Sequence, residues 1–383
     1  MKIAHVITGL STGGAEMALY KLLSQMDREA FDPEVISLTD AGEVAEKIRQ
    51  LGIPVQALGM RRGVPNPLFV IRLARLLRKT RPDVVQTWMY HADLVGGLST
   101  KLAGSPPVAW NVRHSHLDPR HTNRTTLLTA RACALLSGLL PRRIVCVAEV
   151  ALWAHVGLGY DAGKMVVIPN GFDLSLFYPD QEARSSVREE LALPTDTPLV
   201  GLVARSHPDK DHSNFLEAAS PVHAANPETH FLLCGEGVDP QNTPLVRQIE
   251  NRGIRDRCHL LGRREDTPRL TAALDVAVSS SSSEGFPNAV GEAMSCGVPC
   301  VVTDVGDSAA IVGDTGGVVP ARDRVALARG IGEVLALETA ARRDLGERAR
   351  RRIREHYSLE SVASAYETLY REMVPTPRNK RPA

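Results

Sequence analysis

The feature that most constrains this chain is an alternation, run through twice, of short apolar segments with longer amphipathic ones. In the first half the apolar segments are 2–8, 33–38, 54–58, 83–88, 107–112, 143–148 and 165–169. In the second half they are 199–204, 230–235, 258–262, 276–281 and 299–303, with 317–320 as a short sixth. Val and Ile are common in these segments and both faces read as apolar, the pattern of strands buried on both sides of a parallel sheet. Helical stretches between them make each half an open, doubly wound α/β sheet.

At 383 residues the chain is too long for one ordinary core. The expectation is two Rossmann-like, doubly wound parallel-sheet domains facing a cleft. The first is residues 1–178. The second is 179–357, entered through a connector at 170–198 that Asn170, Gly171, Pro179, Pro194 and Pro198 punctuate. Residues 323–373 read as helical, and 375–383 as a disordered basic tail. Open parallel sheets take ligands beyond the carboxyl ends of their strands, so two of them suit a reaction between two substrates.

Net charge is +1, which gives no reason to expect a nucleic-acid partner. The charge is uneven, however: residues 1–178 hold 20 Lys/Arg against 14 Asp/Glu, and the remainder 25 against 30. The first half is therefore the one expected to meet an anion. The cysteines at 133, 146, 234, 258, 296 and 300 lack zinc-ligand spacing and read as reduced, buried thiols of a cytoplasmic protein. No run of 18 apolar residues is present, so no membrane-spanning helix is expected, and the N-terminus has no signal-peptide core.

Three loops carry chemistry. The first strand ends in Thr8-Gly9-Leu10-Ser11-Thr12-Gly13-Gly14-Ala15-Glu16, ahead of a helix read as 17–26. Glycines admit a ligand close to the backbone, and a helix N-terminus favours an anion. The dinucleotide G-x-G-x-x-G spacing is absent, and taken alone this loop is equally a structural turn. The strand at 199–204 runs into Arg205-Ser206-His207-Pro208-Asp209-Lys210, which places two permanent cations at a strand's carboxyl end, where phosphate oxygens would be met. The strand at 276–281 runs through a serine-rich loop to Glu284-Gly285-Phe286-Pro287-Asn288-Ala289, with a helix from near Asn288 and Glu292 one turn into it. The amides of that helix start suit a diphosphate. Two carboxylates so placed can accept bonds from sugar hydroxyls.

The segment Glu-Gly-Phe-Pro-Asn-Ala-Val-Gly-Glu-Ala-Met-Ser-Cys-Gly-Val-Pro from Glu284, the Arg205 and Lys210 pair, and Gly13-Gly14-Ala15-Glu16 together resemble the retaining, GT-B-fold glycosyltransferases of family 4, over nearly the whole chain. Residues 110–115 also resemble a subgroup associated with bacterial cell-surface polysaccharides. The resemblance implies transfer from a UDP- or GDP-linked sugar to a glycan or polyprenyl-linked acceptor, with no cofactor and no metal. It implies that Arg205 and Lys210 neutralise the leaving diphosphate, and that Glu284 with the backbone of Gly285, Phe286, Pro287, Asn288 and Ala289 holds the donor sugar. Glu292 would bind the ribose, Gly13 and Gly14 would close on the phosphates, and Arg263 belongs to the donor-binding set. The helix 358–373 is implied to cross back onto the first domain.

Two positions depart from the family pattern. Arg113, followed by His114, stands where many members carry a histidine after the fifth strand, and Asp211 follows Lys210 where glycine is usual. Arg113, His114 and His91 are the candidates for the acceptor or reacting centre. A non-catalytic sugar-nucleotide-binding protein, or an epimerase on the same scaffold, is the alternative, and incubation without acceptor separates the epimerase. Finally, residues 60–81 carry seven Lys/Arg and no acid. A helix at 67–80 with Arg72, Arg75 and Lys79 on one face predicts reversible contact with the anionic inner face of a membrane.

Overall fold

A computed structural model of the chain describes residues 1–61, 67–113 and 123–374. It divides into unit 1, Met1–Gly171 with the segment from Leu359 onward, and unit 2, Phe172–Ser358.

Unit 1 is a seven-stranded parallel sheet. Its strands are β1 (Lys2–Ile7), β2 (Asp32–Ser37), β3 (Val55–Ala57), β4 (Val84–Trp88), β5 (Val108–Val112), β6 (Arg143–Cys146) and β7 (Met165–Val167), in the order β3-β2-β1-β4-β5-β6-β7. Unit 2 has six parallel strands, β8 (Leu199–Val203), β9 (His230–Cys234), β10 (Cys258–Leu260), β11 (Val276–Ser279), β12 (Cys300–Thr303) and β13 (Gly317–Val319), in the order β10-β9-β8-β11-β12-β13. Every apolar segment singled out above is a strand, most of them a residue or two shorter. The order reverses between β1 and β4 in unit 1 and between β8 and β11 in unit 2. At such a reversal the flanking loops diverge to opposite faces of the sheet and leave a crevice.

The connector 170–198 is not simply a linker. It holds the helix Gln181–Glu190, started by Asp180, whose Oδ1 accepts from Glu182 N at 2.9 Å and Ala183 N at 3.0 Å. Its inward face includes a charge: Arg188, fully buried, binds Asp275 Oδ2 at 2.7 Å and the carbonyl of Ala273 at 2.7 Å. The division between units also falls earlier than 178, because Phe172 and Phe177 pack into the core of unit 2.

The last helix, Leu359–Met373, belongs to unit 1. Val362, Ala363, Tyr366, Leu369, Tyr370 and Met373 face inward at helical spacing and join the core built by β1, β4 and the helix Gly14–Gln25. A fully buried large apolar side chain contributes about 1.5–3 kcal/mol, so these residues are ample to hold one helix there. Asn111 Nδ2 also donates to the Tyr366 hydroxyl at 2.7 Å. The tail at 375–383 lies outside the described residues. All six cysteines are buried free thiols.

Candidate functional site

In unit 2 the loops after β8 and β11, the two strands flanking the reversal, are bound to each other by serine. Ser280 Oγ donates to the carbonyls of Lys210 at 2.9 Å and Asp211 at 3.1 Å, and Ser282 N donates to Asp209 O at 2.8 Å. Ser281 Oγ donates to Glu284 Oε1 at 2.6 Å, and Lys210 Nζ reaches the same oxygen at 2.5 Å. The serine run is thus a set of short polar struts. Glu284 is nearly buried while Lys210 keeps a quarter of its side chain exposed, so the ammonium sits at the lip of the pair. Arg205 is exposed on the same loop.

Asp211 explains itself. It adopts the left-handed conformation, φ 44°, that favours glycine, and its side chain caps the helix His212–Ala225 by accepting from Asn214 N at 3.2 Å. Asp tolerates that conformation better than most residues and supplies the cap as well. The Lys210 loop therefore keeps a glycine-like turn without the glycine.

Beyond Glu284, the helix Asn288–Ser295 starts after Pro287, which offers no capping side chain. Four other helices of unit 2 are capped by Asp180, Asp211, Asn242 and Asp323, and three, at Thr267–Ala272, Ser308–Val312 and Thr339–His356, are not. Val290 N donates to Pro287 O at 3.2 Å, and a helix start of this kind after a strand's carboxyl end is a setting in which anions are bound. The loop is held close from behind at Gly306, φ +57°, where a Cβ would lie 2.6 Å from the Gly285 carbonyl, and Asp307 N donates to that same carbonyl at 3.0 Å. Glu292 is partly buried one turn into the helix, and Ala289 lies between it and the loop.

On the other side of β8, the loop after β10 begins at Gly262, whose carbonyl accepts from Gly235 N at 2.9 Å. Arg263 is exposed there. Its neighbour Arg264 is locked by Asp266, at 2.8 Å through two nitrogens, and by Glu190 at 2.7 Å. Hydrogen bonds from Arg264 and Arg269 push the Glu190 carboxyl below its usual range.

In unit 1 the glycine loop after β1 leads straight into the helix Gly14–Gln25, which starts earlier than position 17. It too has no capping side chain, with Gly13 at its N-cap. A Cβ on Gly13 would lie 2.4 Å from Glu16 Oε2, whereas one on Gly14 would meet nothing within 4 Å. The loop is stitched to the segment after β2. Thr39 N donates to Thr8 O at 3.0 Å, Val44 N donates to Leu10 O at 3.0 Å, and Gly42 comes so near that a Cβ would lie 2.4 Å from Leu10 O. Across the reversal, β4 is followed by Met89, whose φ of 72° is strained for a side-chain-bearing residue, and His91 stands in the first turn of the next helix, its pKa lowered by burial.

Arg113, just past β5, is engaged by the protein itself. Its guanidinium lies 5.7 Å from the Trp88 ring centroid and donates to Asn170 Oδ1. Burial lowers its pKa, while the Tyr366 hydroxyl and Glu16 oppose that shift. His114 lies outside the described residues.

Unit 2 thus joins Lys210 to Glu284 beside the 285–289 loop, with Arg205 exposed on the loop after β8, and unit 1 brings Gly13, Gly14, His91 and Arg113 to the carboxyl edge of its own sheet. Sequence reasoning missed the roles of Ser280, Ser281, Gly42 and Gly306. A serine run at a strand end and isolated loop glycines were the available signals.

Residues 12–176 match the family described as Glycosyltransferase Family 4, and residues 183–352 the family described as Glycosyl transferases group 1. The chain is 27% identical over 323 residues to the Escherichia coli UDP-Gal:alpha-D-GlcNAc-diphosphoundecaprenol alpha-1,3-galactosyltransferase, covering 82% of this chain and 81% of that protein. It is 26% identical over 282 residues to the Campylobacter jejuni N,N'-diacetylbacillosaminyl-diphospho-undecaprenol alpha-1,3-N-acetylgalactosaminyltransferase, covering 71% and 73%. Among solved structures, Anabaena HepE in complex with UDP superposes with a TM-score of 0.82 at 23% identity, over 97% of this chain and all of that one, a likeness of fold.

Proposed function

Since the chain belongs to the GT-B glycosyltransferases, a family 4 domain followed by a group 1 domain, we propose that it moves a sugar from a UDP-linked donor to a polyprenyl-diphosphate-linked glycan, with retention of anomeric configuration. The observation that carries this reading is the Lys210–Glu284 pair set beside the uncapped helix start at Asn288. It supplies what the reaction needs: fixed donors where diphosphate charge develops, and a carboxylate within reach of a sugar hydroxyl. The named acceptors of the two relatives, both undecaprenol diphosphates, support the acceptor class.

In this reading Arg205 and Lys210 neutralise the departing UDP without a metal. Glu284 holds a sugar hydroxyl, the 285–289 backbone holds the diphosphate and sugar, and Glu292 holds the ribose. Arg263 lies on the side of the base. Gly13 and Gly14 offer amides to the phosphates. The bond from the anomeric carbon to the diphosphate oxygen breaks, the acceptor oxygen attacks from the same face, and the leaving phosphate takes the acceptor's proton. Turnover assays on Lys210→Ala and Glu284→Ala test it: transfer should fall roughly 100-fold or more in each, with folding intact. The wild-type product should keep the donor's anomeric configuration by NMR and form equally in EDTA. Near-normal turnover in both variants sinks the assignment of these residues.

The reading extends to an anionic membrane surface, on which such an acceptor is presented. Among the described residues, no helix is long and apolar enough to cross a membrane. The helix Leu68–Thr80 exposes Arg72, Arg75, Arg78 and Lys79 beside Leu68 and Ile71. Two helices along, Arg124–Leu136 exposes Arg124, Leu128, Arg131 and Leu135 as one stripe, with Leu135 84% exposed. Interleaved arginine and leucine suit a lipid headgroup layer. Arg72 also holds the Leu58 carbonyl at 2.7 Å, so the discriminating variant changes Arg75, Lys79 and Arg131 to Glu instead. Co-sedimentation with anionic vesicles should drop in that variant and in high salt. Salt-independent sedimentation of both proteins removes the membrane contact.

A further inference from the structure

We infer that Phe172 and Tyr357, the residues at the two places where the chain passes between the units, are positioning residues for the 284–288 loop. The inference rests on the reading of that loop as the donor loop. The two crossings run side by side: Phe172 N donates to Tyr357 O at 2.8 Å, and Phe172 and Ser358 form an isolated parallel bridge. Beside them, in unit 1, a Cβ on Gly171 would lie 2.9 Å from Leu359 Cα.

From this pair of crossings two rings reach the loop. Phe172 stacks on Phe286 with centroids 5.9 Å apart and planes 20° apart, and Tyr357 packs on the same Phe286 ring at 6.0 Å with planes 50° apart. Phe172 also lies against the helix Asn288–Ser295. A Cβ on Gly291 would sit 2.0 Å from Phe172 Cζ, so the ring occupies the space that any larger residue at 291 would need. Phe172 therefore touches the chain on both sides of the uncapped helix start, at 286 and at 291. The Tyr357 hydroxyl donates to Ala310 O at 3.3 Å, which holds its ring on the same side. Lys210, Ser281 and Asp307 fix the near end of the loop by polar bonds. The aromatic contacts fix the far end, where the anion-binding amides begin.

Sequence gives little sign of this. Phe172 falls within the span matching the family 4 domain, 12–176, yet packs in unit 2, and Tyr357 lies beyond both matched spans.

The test uses full-length protein, with UDP as the probe in calorimetric titration and hydrogen exchange of the 285–291 segment as a ligand-free readout. Phe172→Leu and Tyr357→Leu should weaken UDP binding roughly three- to tenfold, the scale of one lost aromatic contact, and should speed exchange in that segment. Tyr357→Phe keeps the ring but loses the bond to Ala310, and should bind UDP more tightly than Tyr357→Leu does. Gly291→Ala should weaken binding at least as much as Phe172→Leu, and less so in the Phe172→Ala background, where the ring is gone. Phe172 is buried, so a variant there that fails to fold leaves the decision to Tyr357→Leu at the partly exposed ring. Folded variants with wild-type UDP affinity and wild-type exchange overturn the inference. Failure of the wild type itself to bind UDP counts against the donor reading, and the exchange arm still decides the positioning role.

Discussion

The two strand-order reversals are built in opposite ways. In unit 2 the loops on either side of the reversal are tied together across it, through Ser280, Ser282 and the Lys210–Glu284 pair. Charge stands at the surface of that edge. In unit 1 the β1 loop is tied away from the reversal, to the segment after β2, mainly through backbone. Behind it the polar groups are buried: Trp88 Nε1 donates to His5 Nδ1 at 3.3 Å, Trp88 stacks on Tyr366 at 6.1 Å, and Arg113 closes over Trp88. One edge is an electrostatic device with its charges preset; the other is a packed wall under a glycine turn over which the Glu16 carboxylate lies. The difference teaches that glycine loops on the same fold can have unrelated reasons. Gly306 is required by the protein's own backbone, whereas Gly14 faces open space.

The largest effect is therefore expected at Gly306. Gly306→Ala must place a Cβ into the Gly285 and Glu284 carbonyls and hold φ at +57°. A displacement of the loop by even one ångström should lower kcat/KM on the order of 100-fold. Steady-state kinetics on folded protein check this, and unchanged kcat/KM would show that the loop tolerates movement.

Gly14→Ala sharpens the contrast. No protein atom opposes it, and alanine is the better helix former, so the melting temperature should hold or rise slightly. Yet donor KM should rise about tenfold, the size of one lost or lengthened hydrogen bond to a charged group. Full activity in Gly14→Ala would mean that no ligand approaches this loop closely.

The smallest effect concerns acid. Burial lowers the pKa of His5 in unit 1 to about 3. In unit 2, burial, then the charge of His230 and Arg255, lowers that of His259 to about 4. The unfolded chain binds these protons below a pH of about 6.5, and the folded one does not until far lower. Stability is thus full above about 6.5 and falls as pH drops toward the folded values, by at most about 1.4 kcal/mol per pH unit for each histidine. Melting curves from pH 7 to 5 should show this slope, flattened in His5→Gln. An identical slope in the variant would clear His5 of any part in it.

Strand placement was legible because it is local: each strand is a run of β-branched and apolar residues that must be buried on both faces. The helix Gln181–Glu190 was not legible, because its inward face is Ala183, Val187 and the charged Arg188, a pattern that looks solvated until Asp275 is placed beside it. At the site, Arg205, Lys210, Glu284 and the helix start near Asn288 could be picked out by residue type and by position after a strand. That Glu284 is already paired with Lys210 could not be, since a charge in sequence does not show its partner. Asp211 read as a departure because its left-handed backbone and its cap on Asn214 N exist only once the helix behind it is formed.

The sequence by itself determined which segments are strands, most of the helices, and which loops follow strands at their carboxyl ends, for these follow from side-chain periodicity and turn chemistry within a few residues. Only the tertiary structure decided adjacency. Lys210 and Glu284 are 74 residues apart and share a hydrogen bond because strand order reverses between β8 and β11. Asn111 and Tyr366 are 255 apart and meet because the last helix returns to unit 1. Adjacency across a sheet is chosen by the burial of whole faces and the hand of the crossovers, and no window of neighbouring residues contains that information.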